Sequence, residues 1–142
     1  GTAHQANDGM DAALCMINRK NNIIEFSGAQ NPLIIIENGN ITEIKGDRTP
    51  IGGRTNSDYA FTTHKLRINH SASYYIFSDG FHSQFGGKDG KKLGTKTFKQ
   101  LLVEISALTF SEQQKALENK LSEWQGNNEQ VDDILVIGFR VV

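Results

Sequence analysis

Cysteine is nearly absent. Cys15 is the only one in 142 residues, so no internal disulfide can form. That usage fits a reducing, cytoplasmic compartment. Cys15 lies in the apolar run 12–17 and reads as a small core residue. Charge of one sign is also lacking. The formal net charge is −1, which leaves no electrostatic footprint for nucleic acid. Long apolar runs are missing too. Those present, such as 33–36 and 134–137, are far too short to span a bilayer, so this segment is expected to make no membrane contact. No signal peptide opens the sequence, and residues 1–7 read as a disordered or vector-derived start. His4, His64, His70 and His82 are too scattered for a zinc site. The glycines and lysines of 86–94 do not make a Gly-x-x-x-x-Gly-Lys-Ser/Thr phosphate loop, and Asp89-Gly90 lacks the pattern of a calcium loop. There is no internal repeat or low-complexity tract, and only two prolines.

What remains is enough for one domain. A chain of this size buries roughly 68–70% of its unfolded surface. Residues 10–18 and 23–27 predict a hairpin across the polar turn 19–22. Residues 33–37 and 41–45 predict a second, because Asn38-Gly39 suits a turn with two positive φ angles. Residues 59–68 alternate, with Phe61, Leu66 and Ile68 facing inward. Residues 85–94 read as an exposed loop. Two helices follow, with capping boxes predicted at Thr97…Gln100 and Ser111…Gln114. Phe98, Leu101, Leu102, Ile105 and Leu108 repeat at helical spacing, as do Leu117, Leu121 and Trp124. A last strand is predicted over 133–141. The hairpins point to antiparallel sheets and an α+β class, with helices packed on one sheet of a β-sandwich.

Two acidic sites stand at strand ends. Tyr74, Tyr75, Ile76 and Phe77 have strand character and stop at Ser78-Asp79-Gly80. Asp132-Asp133 opens the apolar run of the last strand. Two carboxylates at the rim of one core point to a divalent-metal site, since Mg²⁺ and Mn²⁺ take oxygen ligands. Taken singly, each aspartate is as compatible with a cap or a turn.

The segments Gly28-Ala29-Gln30-Asn31-Pro32, Pro50-Ile51-Gly52, Ile76-Phe77-Ser78-Asp79-Gly80 and Asp132-Asp133-Ile134 occur in one order with plausible spacings. With Gln84-Phe85-Gly86-Gly87 and Glu129-Gln130-Val131, they resemble the metal-dependent serine/threonine protein phosphatases. The similarity is to the bacterial branch typified by the stage II sporulation phosphatase, and it runs from about Asp8 to Val142. It implies a sandwich of α-β-β-α type and two Mn²⁺ or Mg²⁺ ions that activate water. The family's ligands match at Asp79 and at Asp132, the first aspartate of its pair. No protein nucleophile is implied. Gly28, Asn31 and Gly80 match positions near the metals and are candidates for the substrate side.

The family's bridging aspartate belongs to an Asp-x-x-Gly-His-Gly segment, which these residues do not contain. Asp8 and Asp11 do not replace it by motif, and Ser83 stands where many relatives carry an acidic residue. Residues 1–142 therefore read as the C-terminal part of one phosphatase domain, without its N-terminal strands and helices and inactive alone. The resemblance implies a sensor domain elsewhere in the parent chain and phosphoprotein substrates of the anti-anti-sigma type. The other reading is a non-catalytic interaction module with the same sandwich, whose exposed edges could pair in a homodimer.

Overall fold

The structure, a computed structural model, describes residues 8–142. The expectation for residues 1–7 lies outside the described residues.

Two antiparallel sheets form the centre. The first contains β2 (Ala12–Asn18), β3 (Ile23–Ala29) and β7 (His64–Arg67), in the order β2-β3-β7. The second contains β4 (Leu33–Glu37), β5 (Asn40–Ile44), β8 (Ser73–Phe77) and β11 (Val136–Phe139), in the order β11-β8-β4-β5. Short pairs lie outside them: β1 (Gly9–Met10) with β6 (Ile51–Gly52), and β9 (Phe85–Gly86) with β10 (Lys91–Lys92). The helices are α1 (Gly80–Ser83), α2 (Thr95–Ile105) and α3 (Phe110–Gln125).

The central strands are apolar on both faces because both faces are covered. Along β4, Leu33 and Ile35 pack with Ile24, Phe26 and Tyr74 between the sheets, while Ile34 and Ile36 pack under the helices. Along β8, Tyr74 and Ile76 face the first sheet, and Tyr75 and Phe77 face Phe98, Leu102 and Ile105 of α2. Alternation sends neighbouring residues to opposite faces, so an unbroken apolar run marks a strand in the middle layer. The Asn38-Gly39 hairpin forms as expected, with φ of 49° and 78° at its two turn residues and Glu37 opposite Asn40. The far face of the first sheet stays open among the described residues, leaving Leu14 and Met16 exposed.

Several boundaries differ from expectation. The first predicted strand breaks at Asp11 into β1 and β2. Of 59–68 only β7 joins the ladder. Side chains take the bonds of the rest: Ser27 Oγ donates to the Thr62 carbonyl, and Asp47 accepts from Thr62 N–H. The 85–94 segment is not simply a loop, since β9 pairs with β10 and Gly86 is buried against the Trp124 carbonyl. Helix α2 starts at Thr95, not Thr97, because Gly94 turns the chain with φ 92° and its carbonyl accepts from Phe98 N–H. The capping box of α3 is Thr109 with Glu112, not Ser111 with Gln114. Leu108 falls in the turn between the helices and is exposed. The last strand is four residues long, because 133–135 bond to Ser78 at the end of β8.

Candidate functional site

Asp79 lies at the end of β8, on the step into α1. Asp132 lies four residues before β11, the strand paired to β8 with Val136 opposite Phe77. Pairing alone would bring the two approaches near each other, and Ser78 fixes the distance. Its hydroxyl donates to the Asp133 carbonyl at 2.8 Å and accepts from Leu135 N–H at 2.9 Å. Gly80 completes the contact. A Cβ there would sit 2.1 Å from the Asp133 carbonyl oxygen, so only glycine lets the backbones approach this closely.

The structure thus brings Asp79 and Asp132 together. Their carboxyls are near enough to perturb each other's charge. Partial desolvation at the rim, followed by the hydrogen bond and negative charge of Asp132, holds the Asp79 carboxyl above its ordinary range. One oxygen of Asp132 accepts from Asp133 N–H at 2.8 Å, which orients the carboxylate. The approach to it is braced from below. Gln84, fully buried, donates to the Glu129 carbonyl at 2.9 Å, and Trp124 Nε1 donates to the Gln84 carbonyl at 2.8 Å. These bonds give a physical task to Gln84, Trp124 and Glu129.

Two anionic oxygen ligands on rigid supports suit a hard divalent cation. Among the described residues no group of three or more His, Cys, Asp or Glu side chains joins them into a larger cluster. The donor set therefore fits part of a metal's coordination sphere.

Beside Asp79 opens a cleft of about 380 Å³. Asn31 and Pro32 line one wall, with Lys45 and Arg48, and His82 and Lys99 come from the helices. Asp11 also borders it. Of the three residues expected on the substrate side, Asn31 lines the cleft. Gly28 is buried beneath it, where a Cβ would lie 2.1 Å from the Asn31 carbonyl oxygen. Gly80 is buried against Asp133. His82 is half-buried between Phe77 and Phe98. Burial pushes its imidazole below the ordinary value, and the Asp79 charge acts the other way. Lys45 and Arg48 carry no signal in the sequence, because only the folded chain places them here.

A family model described as stage II sporulation protein E matches residues 2–142. Among solved structures, the SiaA-PP2C domain of Pseudomonas aeruginosa superimposes with a TM-score of 0.84 at 30% identity, covering 93% of this chain and 52% of that one. The phosphatase domain of the cell fate determinant SpoIIE from Bacillus subtilis gives a TM-score of 0.61 at 13% identity, covering 92% of this chain and 57% of that one. The same domain presoaked in Mn gives a TM-score of 0.66 at 13% identity, covering 92% and 56%. This chain therefore spans little more than half the length of these relatives. A search of the curated proteins finds no match. No helix among the described residues is long and apolar enough to cross a membrane.

Proposed function

Since the chain belongs to the stage II sporulation protein E family of PP2C-type phosphatases, we infer that it is part of a metal-dependent phosphoserine/phosphothreonine protein phosphatase. The observation that carries this is the Asp79–Asp132 pair, built at one rim of the sandwich beside a cleft. Asp79 and Asp132 would hold Mn²⁺ or Mg²⁺. Bound there, such ions supply a water of lowered pKa and offset charge on the phosphoryl oxygens.

The chain's own residues do the rest. Ser78 and Gly80 set the spacing of the two carboxylates. Asp133 N–H orients Asp132. Asn31 stands at the cleft wall, where its amide can donate to a phosphoryl oxygen. No side chain is asked to act as nucleophile. The parent protein is read as cytoplasmic and governed by a sensor domain, with small phosphoproteins of the anti-anti-sigma type as substrates.

The second reading is a non-catalytic interaction module with a phosphatase-like sandwich. Exposed Leu14 and Met16 on edge strand β2, and exposed Ile137 on edge strand β11, favour it and would serve a homodimer. The test is an aryl phosphate assay with Mn²⁺ on the parent protein and on residues 1–142. Metal-dependent turnover by the parent, with none by residues 1–142, is the expected result. No turnover by the parent at saturating metal overturns the enzyme reading and leaves the module.

A further inference from the structure

Metal binding does not account for the cations of the cleft. Lys45 and Arg48 follow β5 and line the cleft that Asp79 borders. Lys99 lines it from α2 but is already paired, with Nζ 2.7 Å from Glu43 Oε2. Lys45 and Arg48 have neither an ion pair nor a side-chain hydrogen bond among the described residues. With Glu43 and Lys99 neutralising each other, the lining keeps two carboxylates, Asp11 and Asp79, and two uncommitted cations.

The backbone beneath those cations is fixed. Asp47 N–H donates to the Gly28 carbonyl at 2.8 Å, and Gln30 N–H donates to the Asp47 carbonyl at 2.8 Å. The Asp47 carboxylate is pinned in turn by Tyr59 Oη and Thr62 N–H, each at 2.9 Å. Gly46 lies so close to Asn31 that a Cβ would come within 2.6 Å of its carbonyl oxygen. The segment 45–48 is therefore anchored to the Asn31 wall by bonds in which neither cationic side chain takes part. Their charges are free for a ligand, and their attachment points are rigid.

An anion is the ligand that this end of the cleft can take. Guanidinium matches a phosphoryl group with two parallel N–H donors, and an ammonium adds a point charge beside it. Resting on the phosphatase reading above, we propose that Lys45 and Arg48 are specificity residues that receive the phosphoryl dianion of a phosphoserine or phosphothreonine segment and hold it facing Asp79. Asn31 contributes a neutral donor on the same wall.

The test is binding of a phosphothreonine peptide with a non-hydrolysable phosphonate in place of the ester, measured calorimetrically on the intact parent protein with Mn²⁺. Arg48→Ala and Lys45→Ala are each expected to weaken it about tenfold or more, the loss for a hydrogen bond to a charged group. Arg48→Lys is expected to recover part of the loss, and Mn²⁺ affinity to stay as in wild type. Both side chains are exposed, so folding, checked by circular dichroism, is expected to survive. Unchanged peptide affinity in both alanine variants overturns the proposal, as does a parallel loss of Mn²⁺ affinity. Two results separate it from the reading it rests on. Arg48-dependent peptide binding without any phosphoester hydrolysis sinks the phosphatase and keeps the anion arm. Hydrolysis of the phosphothreonine peptide with unchanged KM in Arg48→Ala and Lys45→Ala does the reverse.

Discussion

Ser78 grips the segment that carries Asp133. Its hydroxyl donates to the Asp133 carbonyl at 2.8 Å, and its N–H donates to the Leu135 carbonyl at 3.0 Å. The same hydroxyl accepts from Leu135 N–H. One small side chain thus ties the end of β8 to the approach of β11.

Ser78→Ala removes both hydroxyl bonds and leaves a carbonyl and an N–H without their partner. A loss of about 1–2 kcal/mol is expected from urea unfolding of residues 1–142. In the parent protein the Mn²⁺-dependent rate is expected to fall as well, because Asp132 is no longer held against Asp79. A rate equal to wild type would show that the spacing is set elsewhere.

Gly80→Ala tests the close approach directly. The new Cβ would meet the Asp133 carbonyl oxygen at 2.1 Å, and backbone must shift to admit it. The expected cost is about 1–3 kcal/mol, in the range of overpacking. Thermal unfolding of the variant beside wild type measures it, and an unchanged midpoint would contradict the contact.

Asp79→Asn is expected to leave the fold intact in the parent and nearly abolish Mn²⁺-dependent hydrolysis of an aryl phosphate. Binding to the native state raises the unfolding midpoint, so Mn²⁺ should stabilise the wild-type parent and not the variant. Residues 1–142 alone should show a weak shift or none, because two adjacent carboxylates without further ligands repel each other and bind metal poorly. A strong Mn²⁺ shift in residues 1–142 would mean that other residues complete the site.

Asp47 is expected to give the 46–62 region an acid dependence. The Thr62 N–H bond first, and then the Tyr59 and Thr62 hydroxyls, hold its carboxyl below the ordinary value. A folded-state pKa below the unfolded one gives stability that is present above the unfolded pKa. That stability is lost as pH falls through the folded pKa. Asp47→Ala should therefore lower the unfolding temperature at neutral pH. The gap from wild type should close as pH drops below about 4. A gap independent of pH would assign the effect to packing instead.

Local signals were the readable ones. Asn38-Gly39 names its turn within two residues, and the apolar runs of β4 and β8 name buried strands. Asp79 was visible because a strand-like run stops at Ser-Asp-Gly. The Asp132-Asp133 pair was visible at the start of an apolar run, and the family resemblance singles out Asp132. The capping residues misled because Thr97 and Ser111 compete with Gly94 and Thr109, and tertiary bonds decide where each helix begins. Lys45 and Arg48 were not visible at all. Their placement follows from the bridge between Ala29 and Asp47, a contact across eighteen positions that no periodicity announces.

The order of the strands also has a consequence in time. Asp79 precedes the helical hairpin of α2 and α3, and Asp132 follows it. At roughly 5–20 residues per second of synthesis, a nascent chain carries the first carboxylate for roughly 3–10 s before the second exists. During that interval β8 has β4 on one side and nothing on the other. An apolar strand waits with an open edge, the condition under which chains pair with one another. The ribosome therefore releases the two halves of the pair separately, and the arrival of β11 both closes that edge and brings the second carboxylate beside the first.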